Sequence, residues 1–110
     1  MRLLASLLLL AAAACKPEPP PMSADAVFDS VCARCHGAQG YGGPGDDGGS
    51  GPRNFHDAEF QATRSDDDLR NTIRHGRNGR MPAFGSAFND EQLDGLVRRV
   101  RSFNEKEARR

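Results

Sequence analysis

The chain has no tryptophan, 6 % aromatic residues and no net formal charge over its 110 residues. Each shortage excludes something. Fifteen Lys and Arg balance fifteen Asp and Glu, so bulk charge gives no ground for a nucleic-acid partner. No segment alternates as a strand should, and no internal repeat is visible, which removes β and solenoid architectures. The scarcity of aromatics bears on stability. Once the front of the chain is set aside, residues 24–104 are left to fold. A single domain of that size seldom builds a sufficient core alone. A buried apolar group other than a side chain is therefore expected.

Long apolar runs are also lacking, with one exception. Residues 3–14 are apolar apart from Ser6 and follow the basic Arg2. A dozen residues is short for a membrane span and suits the apolar part of an export signal, here placed at residues 1–14. Cys15 follows four alanines and resembles the lipid-accepting cysteine of bacterial lipoproteins. The usual Leu three positions earlier is replaced by Ala12. The alternative is an ordinary signal cut after Ala14, which leaves a free thiol. Residues 15–23 then read as a lipidated cysteine and a tether. Four prolines in residues 16–22 favour an extended spacer.

The domain reads as all-α, with about three main helices and long loops. Ser23 is placed to cap a first helix over residues 23–34, with Val27, Phe28, Val31 and Cys35 on one face. Residues 37–52 hold eight glycines and two prolines and read as loop. Residues 57–62 have the makings of one helical turn. Ser65 caps a clearer helix, Asp66, Asp67 and Asp68 fill its first turn, and Gly76 ends it. Asn89 and Gln92 open the last helix, along which Leu93, Leu96, Val97, Val100 and Phe103 recur at helical spacing. Residues 105–110 are a charged tail.

Three cysteines is an odd count for an exported chain. Two of them stand in Cys32-Ala33-Arg34-Cys35-His36, the attachment pattern of c-type haem. Two thiols three residues apart on a helical turn can each add to one haem vinyl group. The following His then lies beneath the iron. A bare C-x-x-C also suits a redox dithiol or half a zinc site. The adjoining His, the export signal and the lack of a second Cys pair argue against both. For the far side of the iron, Met81 in Met81-Pro82-Ala83-Phe84 is the first candidate, since a thioether raises the potential. His75 and His56 are rivals, and an iron without a strong sixth ligand is a third possibility. Met81 as plain core is the bland alternative.

At these residues the chain resembles the class I monohaem cytochromes c. The resemblance spans residues 24–103 and rests on Cys32 to Gly37 and on Gly79-Arg80-Met81-Pro82-Ala83-Phe84-Gly85. Weaker support comes from Gly51 to Phe55, Leu69 to Gly76 and the last helix. It implies one covalent haem c, ligated by His36 and Met81 and attached through Cys32 and Cys35. It implies that the carbonyl of Pro52 accepts a hydrogen bond from His36, although Pro52 can equally just close the glycine-rich loop. Arg53 or Asn54 would reach a haem propionate. Phe28 and Phe103 would mark the crossing of the first and last helices, and Phe55, Leu69, Ile73 and Phe84 would wall the haem. Arg99 departs from the family, which has an aromatic there, and puts one helix contact in doubt.

The expected function is that of a single-electron carrier, not an enzyme, because an iron with both axial positions filled has no site for a small-molecule substrate. Its partners are a redox protein donor and acceptor, and a membrane through lipid on Cys15. Its place is the bacterial envelope, facing the periplasm. A subunit of a larger membrane oxidoreductase and a haem-based ligand sensor are the alternatives. Arg70, Arg74, Arg77 and Arg80 stand close together before Met81. They form either a positive rim for an acidic partner or a solvated helix face.

Overall fold

In the computed structural model, residues 15, 18, 20–43 and 51–108 are described. The export signal, most of the tether and the middle of the glycine-rich loop lie outside them. Among the described residues there are helices and no strand, and one isolated bridge pairs Arg77 with Met81.

The first helix is continuous but not uniform. It runs as α1 (Ala24–Val27), a π-helical turn (Phe28–Cys32) and α2 (Ala33–His36). Ser23 caps it, its side chain accepting from the Ala26 N–H at 3.2 Å. In the π turn the Ala33 N–H reaches back five residues to the Phe28 carbonyl. That wider turn inserts one residue and advances the buried face by one position. The expected face of Val27, Phe28, Val31 and Cys35 is accordingly divided between core and cavity. Val27 and Phe28 are buried, Cys32 and Ala33 pack against the core, and Val31 and Cys35 line the cavity described below.

Asp57 caps α3 (Ala58–Thr63) by accepting from the Glu59 and Phe60 N–H groups. Ser65 and Asp68 form a reciprocal capping box at the start of α4 (Asp66–His75), at 3.0 and 2.9 Å. Asn89 and Gln92 do the same ahead of α5 (Asp90–Ala108), at 3.0 and 2.8 Å. The starts of α4 and α5 are those the sequence predicts.

α5 is the spine. Leu96, Val97, Val100 and Phe103 meet Val27 and Phe28 from the first helix, and Phe55, Phe60 and Leu69 complete the cluster. Phe28 and Phe103 sit 5.5 Å apart at the crossing. Further along the contact, a Cβ on Gly95 would lie 2.5 Å from the Cβ of Ala24, so only glycine allows the helices this approach. Ion pairs along α5 tie the other helices down. Arg101 pairs with Asp66 at 2.8 Å and donates to the Gln61 carbonyl at 2.8 Å. Arg70 and Arg74 of α4 pair with Asp94 and Asp90 of α5, the second pair at 3.1 Å.

Candidate cofactor site

A cavity of about 560 Å³ opens between the first helix, α4 and the loops over residues 51–55 and 76–84. Cys32, Cys35 and His36 stand on one wall, and Met81, Pro82 and Phe84 also line it. Phe55, Phe60, Leu69 and Ile73 give it an apolar interior. The size and the mixture of apolar walls with few polar groups are those of a cofactor site.

His36 is fixed from behind. Its Nδ1 donates to the Arg53 carbonyl at 3.2 Å, and its ring stacks on Phe55 at 4.6 Å and 21°. A carbonyl only accepts, so Nδ1 carries the proton and Nε2 keeps its lone pair. Burial lowers the pKa of His36, with the carbonyl of Arg53 opposing. Burial favours the neutral imidazole and the two contacts orient it, as a metal ligand requires. The acceptor expected at Pro52 is one residue further along. Pro52 lines the cavity, while its own carbonyl closes on Gly42, where a Cβ would come within 2.6 Å. Burial raises the pKa of the Cys32 thiol, and the neighbouring Cys35 adds to this against a backbone hydrogen bond.

Met81 is held by the end of α4. Gly76 ends that helix at φ 73°, with its N–H on the Thr72 carbonyl. A side chain there would clash with the Met81 carbonyl. Asn78 and Gly79 both take positive φ, and the N–H groups of Arg80 and Met81 return to the Arg77 carbonyl at 3.1 Å. This is the geometry of a tight Asn-Gly turn. The next free carbonyls of α4, on Ile73 and Arg74, accept from Phe84 and Gly85 at 3.0 Å. The loop carrying Met81 therefore caps the helix C-terminus and is placed by it.

The two rival histidines separate. His75 lines the same cavity as Met81. His56 lies outside it, with Nε2 on the Gln39 carbonyl at 2.7 Å and its ring stacked on Tyr41. Arg53 lines the cavity, whereas the Asn54 side chain accepts from the His56 N–H at 2.9 Å. The positive rim differs from the expectation. Arg70 and Arg74 are drawn to α5, while Arg77 and Arg80 line the cavity with Arg53 and Arg64. Arg64 gave no signal in the sequence, because the turn between α3 and α4 that carries it to the cavity is a tertiary feature.

The lining fits a flat, largely apolar macrocycle with two thiols on its edge and an imidazole lone pair at its centre. It does not fit the other readings of a C-x-x-C. Among the described residues no three His, Cys, Asp or Glu converge as a metal group, and no strand leads into the motif. Fold and cavity together define a c-type cytochrome. The chain belongs to the family described as cytochrome c oxidase, cbb3-type, subunit III, whose model matches residues 19–98. A solved structure, the KustC0563 c-type cytochrome, is similar at 31 % identity and a TM-score of 0.65. The match covers 74 % of this chain and 98 % of that one. The cofactor is accordingly covalently bound haem c with its iron, and the activity is haem-based electron transfer with redox proteins as partners.

Proposed function

We propose that the protein is a single-electron carrier with one haem c held by thioether bonds from Cys32 and Cys35, with His36 and Met81 as axial ligands. The observation that carries this reading is the Nδ1 contact of His36 with the Arg53 carbonyl, which leaves Nε2 free within a cavity that Met81 also lines. The haem supplies the redox step. The chain orients the imidazole, offers a thioether that favours the ferrous state, and excludes water with Phe55, Phe60, Leu69 and Ile73. Both axial positions are then filled, which favours a carrier over an enzyme.

The carrier works in the bacterial envelope, facing the periplasm. Residues 1–14 direct export, Cys15 takes lipid, and the proline-rich stretch through residue 23 holds the domain over residues 24–104 off the membrane. Cys15 is exposed, and no described helix is long and apolar enough to cross a membrane. A second reading, a subunit of a larger membrane oxidoreductase, is favoured by the oxidase description of the matching family. Stable co-purification of a partner would support it.

The test is an absorption spectrum of the haem-loaded protein in both oxidation states, for wild type and Met81→Ala. The expected result is a low-spin haem with a weak long-wavelength methionine-to-iron band that the variant loses. An unchanged variant spectrum removes Met81 as ligand and favours a ligand sensor with a different or open sixth position.

A further inference from the structure

Two rings of the core lead away from the cavity to the surface. Phe55, stacked on His36 at 4.6 Å, is 5.9 Å from Phe103 at an interplanar angle of 21°. Phe103 is 5.4 Å from His56, and His56 stacks on Tyr41 at 4.0 Å and 15°. Phe55 and Phe103 are buried, whereas Tyr41, the one tyrosine of the chain, is 51 % exposed. Four rings thus join the proximal imidazole to the solvent in successive contacts. Neither Tyr41 nor His56 lines the cavity.

The backbone fixes this series. Gly40 is buried against Phe103, and its carbonyl accepts from the Phe55 N–H at 2.7 Å. The Gln39 carbonyl holds His56 Nε2 at 2.7 Å, and the His36 carbonyl accepts from Gly42 at 2.9 Å. The loop bearing Tyr41 is therefore tied to both ends of the series. Residues 37–43 include no charged side chain, in contrast to the four arginines that line the cavity.

We propose that Tyr41 and His56 form a second electron-transfer contact, separate from the cavity mouth, for a redox protein that presents an apolar side chain to the exposed ring of Tyr41. The proposal rests on the carrier reading and deepens it, because a carrier has both a donor and an acceptor to meet. One electron passes between the partner and the haem, whose iron changes by one oxidation state as the partner changes oppositely. No bond forms or breaks. The rings stay closed-shell and serve as the coupling medium, with each through-space step kept to a ring-to-ring contact. A small neutral contact suits the weak encounters of electron transfer.

The test places a photo-excitable ruthenium label on Gln39→Cys, beside Tyr41, or on Ala83→Cys, beside the cavity. Both use the haem-loaded full chain carrying Cys15→Ser. Flash-induced electron transfer to the haem is timed with and without Tyr41→Leu or His56→Leu. The expected result is a several-fold slower rate from the label at position 39 in each variant. The rate from position 83, the haem spectrum and the reduction potential should stay unchanged. If His56→Leu loses the native spectrum, Tyr41→Leu alone decides. Rates from position 39 that ignore the substitutions overturn the proposal. Failure of both labels to reach the haem overturns the carrier reading beneath it.

Discussion

The guanidinium of Arg99 lies over the ring of Phe28, 5.1 Å from its centroid, and also 5.5 Å from that of Phe103. The same group pairs with Asp25 at 3.1 Å and Asp29 at 3.3 Å on the first helix. A cation thus fills the place where the resemblance leads one to expect an aromatic, and the helix contact is kept by different physics. The planar guanidinium stacks where a ring would stack, and the two carboxylates hold it there.

Arg99→Ala should therefore destabilise the fold by about 1–2 kcal/mol, mostly through the lost stacking, because exposed ion pairs contribute little. Arg99→Phe should lose less than Arg99→Ala. Denaturant unfolding of the haem-loaded protein measures both. Equal losses would show that Phe28 and Phe103 gain nothing from the group above them.

Gly95 gives a second test at the same crossing. Alanine is the better helix former by about 1 kcal/mol. Its Cβ, however, would lie 2.5 Å from that of Ala24, and overpacking of this kind costs about 1–3 kcal/mol. The clash should win, so Gly95→Ala destabilises. In an Ala24→Gly background the clash is gone and the same change should become neutral or stabilising. A loss that persists there would place the cost elsewhere.

These two positions mark what was legible in the sequence. Capping and periodicity are local, so the starts of α4 and α5 and the stripe from Leu93 to Phe103 could be read directly. The attachment motif is local too. The role of Arg99 was not legible, because it depends on Phe28, Asp25 and Asp29 some seventy residues earlier. The π turn was not legible either, since nothing in Phe28–Cys32 departs from helical spacing. It is what turns Cys32 and Ala33 toward the core. The proline expected to orient His36 failed by one residue, because which carbonyl faces the ring depends on the path of the loop.

His75 and Met81 line one cavity, so removing the thioether should leave an imidazole competing for the iron. Ferrous Met81→Ala should bind carbon monoxide more slowly than Met81→Ala combined with His75→Leu, while His75→Leu alone should keep the wild-type spectrum. Stopped-flow mixing reads the rates. Equal rates in the single and double variants would show that His75 does not reach the iron.

The capping box of α4 makes a pH prediction. Hydrogen bonds from the Ser65 backbone and side chain, with a lesser effect of Arg64, lower the pKa of Asp68. A carboxyl with a folded value below its unfolded one stabilises the fold above the unfolded value and loses that effect as pH falls through the folded one. The contribution is thus complete at neutral pH and fades below about pH 4. Asp68→Asn should be less stable than wild type at pH 7, and the difference should shrink in acid. Ser65→Ala should cost about 1 kcal/mol at pH 7. Stability curves against pH that run parallel for wild type and Asp68→Asn would exclude the carboxylate.

The arginines of α4 and its following turn separate by their neighbours, and this decides which of them steer a partner. Arg70 and Arg74 face Asp94 and Asp90, so each presents a neutralised pair to an approaching protein. Arg77 lines the cavity, and no acidic residue stands between it and Met81 in the sequence. Charge near a docking site acts on the encounter rate and is screened beyond about 10 Å at 0.1 M salt. Arg77→Gln should therefore slow electron transfer with an acidic redox protein several-fold at low ionic strength and flatten its salt dependence. Arg70→Gln should leave both nearly unchanged, or raise the salt sensitivity by freeing Asp94. Stopped-flow rates across a salt series distinguish the two. Indifference of the rate to Arg77→Gln would move the charged docking site away from the cavity mouth.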